Sequence, residues 1–116
     1  MTDLARRAVA CARWRWIPGM ETTNGHIIDH DDISFEGGAG ATLPNVSAPS
    51  TIGCLLALVR EAWGDPRAYV FHVWGKQFFV VHIMASKFRA PEQGPDTEFF
   101  AGSEAEALIL ALEGAP

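Results

Sequence analysis

The sequence predicts an α+β domain: a mainly antiparallel sheet of about four to five strands and three helices, layered helix–sheet–helix. Three observations predict it. Three separate segments repeat apolar residues at helical spacing. One central segment, AYVFHVWGKQFFVVHIM, is dense in aromatic and β-branched residues around a Gly-Lys turn. Strands and helices do not alternate in the strict order that a doubly wound parallel sheet needs.

The first helix is expected from Asp3 to about Ala12, with Leu4, Ala5, Ala8, Val9 and Ala12 on one side and Arg6, Arg7 and Arg13 elsewhere on the wheel. Thr2 or Asp3 can cap it. Arg13-Trp14-Arg15-Trp16-Ile17 then alternates arginine with tryptophan, the pattern of a strand with one buried and one wet face. Pro18-Gly19 ends it. His26 to Asp29 reads as a second short strand, and Ile33 to Phe35 as its extension or return, with the acidic turn His30-Asp31-Asp32 between them. Residues 36–49, EGGAGATLPNVSAP, form an expected long loop, either mobile or docked on a partner.

The second helix carries Ile52, Leu55, Leu56, Leu58, Val59, Ala62 and Trp63 as a broad apolar stripe. Pro49 suits its first turn, and Ser50 or Ser47 can satisfy early amides. Gly64 is its left-handed stop and Pro66 prevents continuation. Gly53, in its interior, is expected to let the backbone approach the sheet. The hairpin follows, Ala68–Trp74 and Gln77–Met84, joined by a two-residue Gly75-Lys76 loop of type II′. That register sets His72 opposite Phe79 and His82 opposite Tyr69, so the two histidines lie on opposite faces. Both faces of both strands are largely apolar. Both must therefore be covered, by helices or by a second subunit. A polar loop over 90–96 leads to a short strand at Thr97–Ala101. Ser103 and Glu106 then form a capping-box pattern at the start of the last helix, which buries Ala105, Leu108, Ile109, Ala111 and Leu112 and ends at Gly114.

The 116 residues fit a single domain (1–116), and a chain of this length buries about two-thirds of its unfolded surface. No apolar run reaches the roughly 18 residues of a membrane span, and the start has no signal-peptide core. Cys11 and Cys54 make neither a disulfide framework nor a CxxC motif. A soluble, cytoplasmic chain with reduced thiols and no membrane contact is expected. The net charge of −5 is segregated: Arg6, Arg7, Arg13 and Arg15 near the start, acids alone over 21–36, and acids alone from Pro91 onward. An acidic chain is repelled by phosphate backbones, which disfavours nucleic-acid binding.

The stretches LARRAVACARWRWIPGM, PSTIGCLLALVREAWGD and GSEAEALILALEGA resemble uncharacterised short proteins encoded by bacteriophages and prophages. Their arrangement is similar to the phage ABA sandwich domain, which pairs an N-terminal helix ending near a Trp, a central Ser/Thr-led helix and an Ala-rich C-terminal helix. The resemblance spans both ends and the middle of the chain and leaves out residues 20–48. It implies a sheet covered by helices, and it implies no activity and no catalytic residues.

The sequence itself carries no nucleophile elbow, no HExxH and no phosphate loop, since Gly37-Gly38-Ala39-Gly40 lacks the lysine and hydroxyl residue of one. Cys11 and Cys54 lie on apolar helix faces, as small buried hydrophobes do. No catalytic residue and no cofactor is expected. The metal-type cluster is His26, Asp29, His30, Asp31 and Asp32. On a strand His26 and His30 stand about 13 Å apart, too far for one ion, so an acidic solvated turn is the favoured reading. The Trp14/Trp16 pair between Arg13 and Arg15 could stack bases. Tryptophans on one strand face more often belong to the core.

The expected function is therefore that of a non-enzymatic phage or mobile-element accessory protein, for instance an anti-defence inhibitor, acting on a protein partner of host or phage. Trp14, Arg15, Trp74, Glu98 and Glu104 are its contact candidates, with the acidic residues 91–106 suited to a basic surface. A small metal-dependent enzyme using His26, Asp29, His30 and Asp32, and a homodimer pairing its open sheet face across a two-fold axis, are the alternatives.

Overall fold

The structure, a computed structural model, describes residues 2–29, 43–83 and 97–115. It is α+β, with three helices and a three-stranded antiparallel sheet among these residues. The elements are α1 (Thr2–Ala10), α2 (Pro49–Trp63), β1 (Tyr69–His72), β2 (Phe79–Ile83), β3 (Thr97–Ala101) and α3 (Glu104–Glu113). The strands lie in the order β1-β2-β3.

α3 is the hub. It touches all five other elements, and Ala105, Ala107, Leu108, Ile109, Ala111 and Leu112 are all buried. A helix apolar around most of its circumference must be enclosed, and here α1, α2 and all three strands pack against it. The expected cap forms: the Glu106 backbone N–H donates to Ser103 Oγ at 3.1 Å. α2 closes as predicted. Gly64 adopts φ 64°, and the N–H groups of Gly64 and Asp65 reach the Glu61 and Arg60 carbonyls. At its start the N-cap is Ala48, whose methyl group offers no acceptor, and Pro49 opens the first turn without an N–H that needs one.

Gly53 does not serve the expected backbone approach. It is exposed, and a Cβ there would meet nothing within 4 Å. Gly53→Ala should therefore stabilise the chain by about 0.5–1 kcal/mol through helix propensity alone, read as a raised urea midpoint at unchanged slope.

The hairpin register is the predicted one: Tyr69 pairs with His82 and His72 with Phe79. The turn is different. Val73 N–H bonds the Phe78 carbonyl and Lys76 N–H bonds the Val73 carbonyl, so Trp74–Gln77 form a four-residue loop. Gly75, at φ 76°, is the third residue of the tight turn Val73–Lys76, the position where a type II turn requires positive φ. Both loop lengths are centred on the same point, so the register survives the change.

Residues 14–17 form no strand. Trp14 and Trp16 are half-buried and Arg13 and Arg15 exposed, so the alternation is real, but the segment has no ladder partner. Residues 20–29 make only isolated bridges, Glu21 to Ile27 and Thr22 to Pro44. This irregular region is tied to α2 through buried Thr51, whose Oγ1 accepts the Glu21 N–H at 2.9 Å, and to the segment before α2 through Asn45 Nδ2, which donates to Glu21 Oε2 at 2.8 Å. Of the expected loop at 36–49, residues 36–42 lie outside the described residues. Residues 43–48 pack down, with Pro44, Val46 and Ala48 buried. The expected strand at 33–35 also lies outside them.

Candidate functional site

Strand alternation divides the sheet into two unlike faces. On the inner face, Val81, Ile83 and Ala101 join the core beneath the helices. Phe99 meets Trp63 of α2 there, ring centroids 5.9 Å apart. On the outer face stand Tyr69, Phe71, Val80, His82, Glu98 and Phe100, placed together by the two registers. Phe78 extends the row at the turn end and meets Phe100 edge-on at 5.7 Å.

This outer face is apolar and open. Tyr69 is 42% exposed, Phe71 38% and Phe100 55%, and Trp74 at the hairpin tip is 95% exposed. Only the small central Val80 is sealed, at 1%. Taking roughly 200 Å² for an aromatic side chain, Tyr69, Phe71 and Phe100 together present about 270 Å² of aromatic surface. The rings are ordered by one another. Tyr69 stacks on His82 at 5.4 Å and packs against Phe71 at 5.5 Å. On this face His82 Nδ1 lies 3.5 Å from Glu98 Oε2, an ion pair when the imidazole is protonated. Lys76 stands exposed in the turn.

The five contact candidates separate. Glu98 belongs to this surface, and Trp74 projects from the hairpin turn beside it. Trp14 does not: it is half-buried and packs edge-on against Trp16 at 5.4 Å. Arg15 bonds Glu61 on α2. Glu104 lies in the first turn of α3, where its charge favours the helix dipole. Tyr69, Phe71, Phe78 and Phe100 were not singled out by sequence, although their odd–even placement on both sides of the turn was the available signal.

Of the metal-type cluster, His26 and Asp29 are exposed, and His30, Asp31 and Asp32 lie outside the described residues. The described residues hold no group of three or more metal-type side chains. His72 and His82 fall on opposite faces, against Phe79 and Tyr69 respectively. Among the described residues no helix is long and apolar enough to cross a membrane.

A cleft of about 420 Å³ opens where the ends of α1 and α3 meet, lined by Arg7, Cys11, Arg13, Leu112 and Glu113. Arg7 closes part of it with a two-pronged bond to Glu113, at 2.8 and 3.1 Å. Burial pushes the Cys11 thiol up, with the Glu113 carboxylate adding to the effect against Arg7, and burial alone pushes Cys54 up. Both thiols are therefore protonated at neutral pH, opposite to the activation a nucleophile needs.

The Arg7 bond holds the Glu113 carboxyl below the usual carboxylate range. The stability this pair contributes is complete above the carboxyl's unfolded pKa and is lost as pH falls through the lower folded value. Both side chains are more than a third exposed, so solvent screening keeps the contribution below about 1 kcal/mol. Glu113→Gln should show that deficit at neutral pH, and the difference from the parent should shrink as pH is lowered below the carboxyl's unfolded pKa, as measured by urea unfolding across that range.

Family models, characterised protein sequences and solved structures were compared with the chain, and none matches it.

Proposed function

We propose that this chain is a non-enzymatic accessory module that works by docking a protein on the outer face of its sheet. One observation carries the reading: Tyr69, Phe71 and Phe100 stand exposed together on one face of the sheet, while comparable side chains on the inner face are packed. Folding alone does not account for them, since leaving large apolar groups in water forgoes stabilisation. The helix–sheet–helix layering then finds its second cover in the docked chain. The resemblance to short phage and prophage proteins supports an accessory role in a phage or mobile element, acting in the cytoplasm.

A photo-crosslinking amino acid placed at Phe100 or Phe71 should give adducts with protein chains in the producing cell. The same residue at Ala57, exposed on α2, should not. Absence of adducts at every sheet-face position, or equal yield at Ala57, would sink the reading.

A further inference from the structure

We infer that Asn24 and Gly25 form a site of spontaneous covalent modification. Asn24 closes on the next backbone nitrogen, loses ammonia and reopens with water as aspartate or isoaspartate, and the isoaspartate form releases the turn that holds it. The inference is independent of the docking reading above.

Residues 20–28 double back on themselves. The Thr22 N–H donates to the His26 carbonyl at 2.8 Å, and the Gly25 N–H donates to the Thr22 carbonyl at 3.0 Å, so Thr23, Asn24 and Gly25 form a three-residue loop. Gly25, at φ 88°, takes the left-handed last position that such loops reserve for glycine. The loop thus sets asparagine and glycine side by side at a tip where Thr23, Asn24, Gly25 and His26 are all exposed.

Asparagine is a thermolabile residue, because its amide carbon can be attacked from within the chain. The attacking nitrogen must reach Cγ, and Gly25 carries no Cβ to crowd the approach. During attack negative charge grows on Asn24 Oδ1, and the hydroxyl of buried Thr22 already donates to that oxygen. One restraint must open first, the Gly25 N–H bond to Thr22, and a single bond at an exposed tip lies at the low-stability end of a fold. The bond from Gly25 N to Cγ then forms and the Cγ–Nδ2 bond breaks. The proton lost by Gly25 leaves with Nδ2 as ammonia. Water opens the five-membered ring at Cγ, giving aspartate, or at the main-chain carbonyl carbon of residue 24, giving isoaspartate, whose backbone runs through Cγ.

Asn45, the other asparagine of the chain, is the contrast. It is half-buried, its Oδ1 accepts the Ser47 N–H at 3.1 Å and its Nδ2 donates to Glu21 Oε2 at 2.8 Å. The residue after it is the β-branched Val46, which crowds the attacking nitrogen.

The two products act differently on the fold. Aspartate keeps an oxygen for the Thr22 hydroxyl. Isoaspartate lengthens the main chain by one atom inside the loop. The Gly25 N–H then no longer meets the Thr22 carbonyl, and the pairing of Thr22 with His26, the last rung before the tip, is lost with it.

Incubation of the purified full chain at mildly alkaline pH, followed by peptide mapping, tests this. The peptide carrying residue 24 should gain about 1 Da and separate into two products. One of them should accept a methyl group from an isoaspartyl methyltransferase, and Asn24→Ser should abolish that acceptor. Asn24 should convert at least about 30-fold faster than Asn45. In the isoaspartate form the Thr22 and His26 amides, which bond the His26 carbonyl and Thr22 Oγ1 in the parent, should exchange about tenfold faster. Asn24→Asp should leave both amides as protected as in the parent. An Asn24 that stays intact while the urea-unfolded chain converts overturns the inference. So does conversion at Asn24 and Asn45 at equal rates, or aspartate as the sole product, which is direct hydrolysis without the ring. Unchanged amide exchange in the isoaspartate form overturns the release of the turn.

Discussion

Leu108→Ala is expected to lower the unfolding free energy by about 3 kcal/mol. Leu108 is fully buried at the midpoint of α3, the helix that touches every other element. A cavity there is bordered by several different elements, so collapse of any one neighbour cannot fill it. The loss approaches half of the stability that a domain of this size commonly holds, and the melting temperature should fall by about 10 °C. Leu110→Ala supplies the comparison within the same helix. Leu110 is only partly buried, and its truncation should cost about 1 kcal/mol. Urea unfolding of the two variants checks the ordering, and equal losses would mean that α3 is not the enclosed element of the core.

Much of this architecture was legible because it depends on local pattern. The Ser103–Glu106 cap, the Gly64 stop and the stripes of α2 and α3 are short-range signatures, and each forms where it was expected. The hairpin register was legible too, since it follows from the centre of the turn and not from its type. What the local pattern could not supply was partnership. Arg13–Ile17 alternates as a strand does, yet alternation reports which side is wet and says nothing of whether a neighbouring strand exists to bond. Gly53 shows the same limit: a glycine in a stripe can mark a close approach or an open surface, and the packing of α2 decides.

The contact surface was missed for a related reason. Trp74 and Glu98 were visible as exposed candidates, but both hairpin strands are apolar on both sides, so composition alone could not say which face the helices take. α3 takes the face of Val81 and Ile83, which leaves Tyr69, Phe71 and Phe100 outside. From the sequence both faces are expected to be covered, whereas the described residues leave Tyr69, Phe71 and Phe100 exposed. The structure turns that expectation into a statement about one face and its named residues. Arg15 and Glu104 stood out by charge, yet they are engaged within the chain, one by Glu61 and one at a helix start.

Trp63→Ala should be nearly as damaging as Leu108→Ala, at about 2–4 kcal/mol, although Trp63 is only half-buried. Its side chain does two things. The ring packs on Phe99 of β3, 5.9 Å between centroids, joining the end of α2 to the sheet. Its indole N–H donates to the Ala111 carbonyl oxygen at 2.8 Å. Ala111 lies in the last turn of α3, where carbonyls lack a helical donor. Its neighbours Leu110 and Leu112 are satisfied by the N–H groups of Gly114 and Ala115. Trp63 therefore completes the C-terminal cap of α3 from another helix, where α3 is also held by the Arg7–Glu113 pair. Trp63→Phe separates the two roles, since it keeps a ring against Phe99 and removes the donor. It should cost about 1–2 kcal/mol, that of a buried carbonyl left unpaired. Hydrogen exchange should locate the loss: in Trp63→Phe the amides of Gly114 and Ala115 exchange faster while the α2 interior stays protected. Equal protection of the α3 end in Trp63→Phe and wild type would show that the indole bond does not hold that turn.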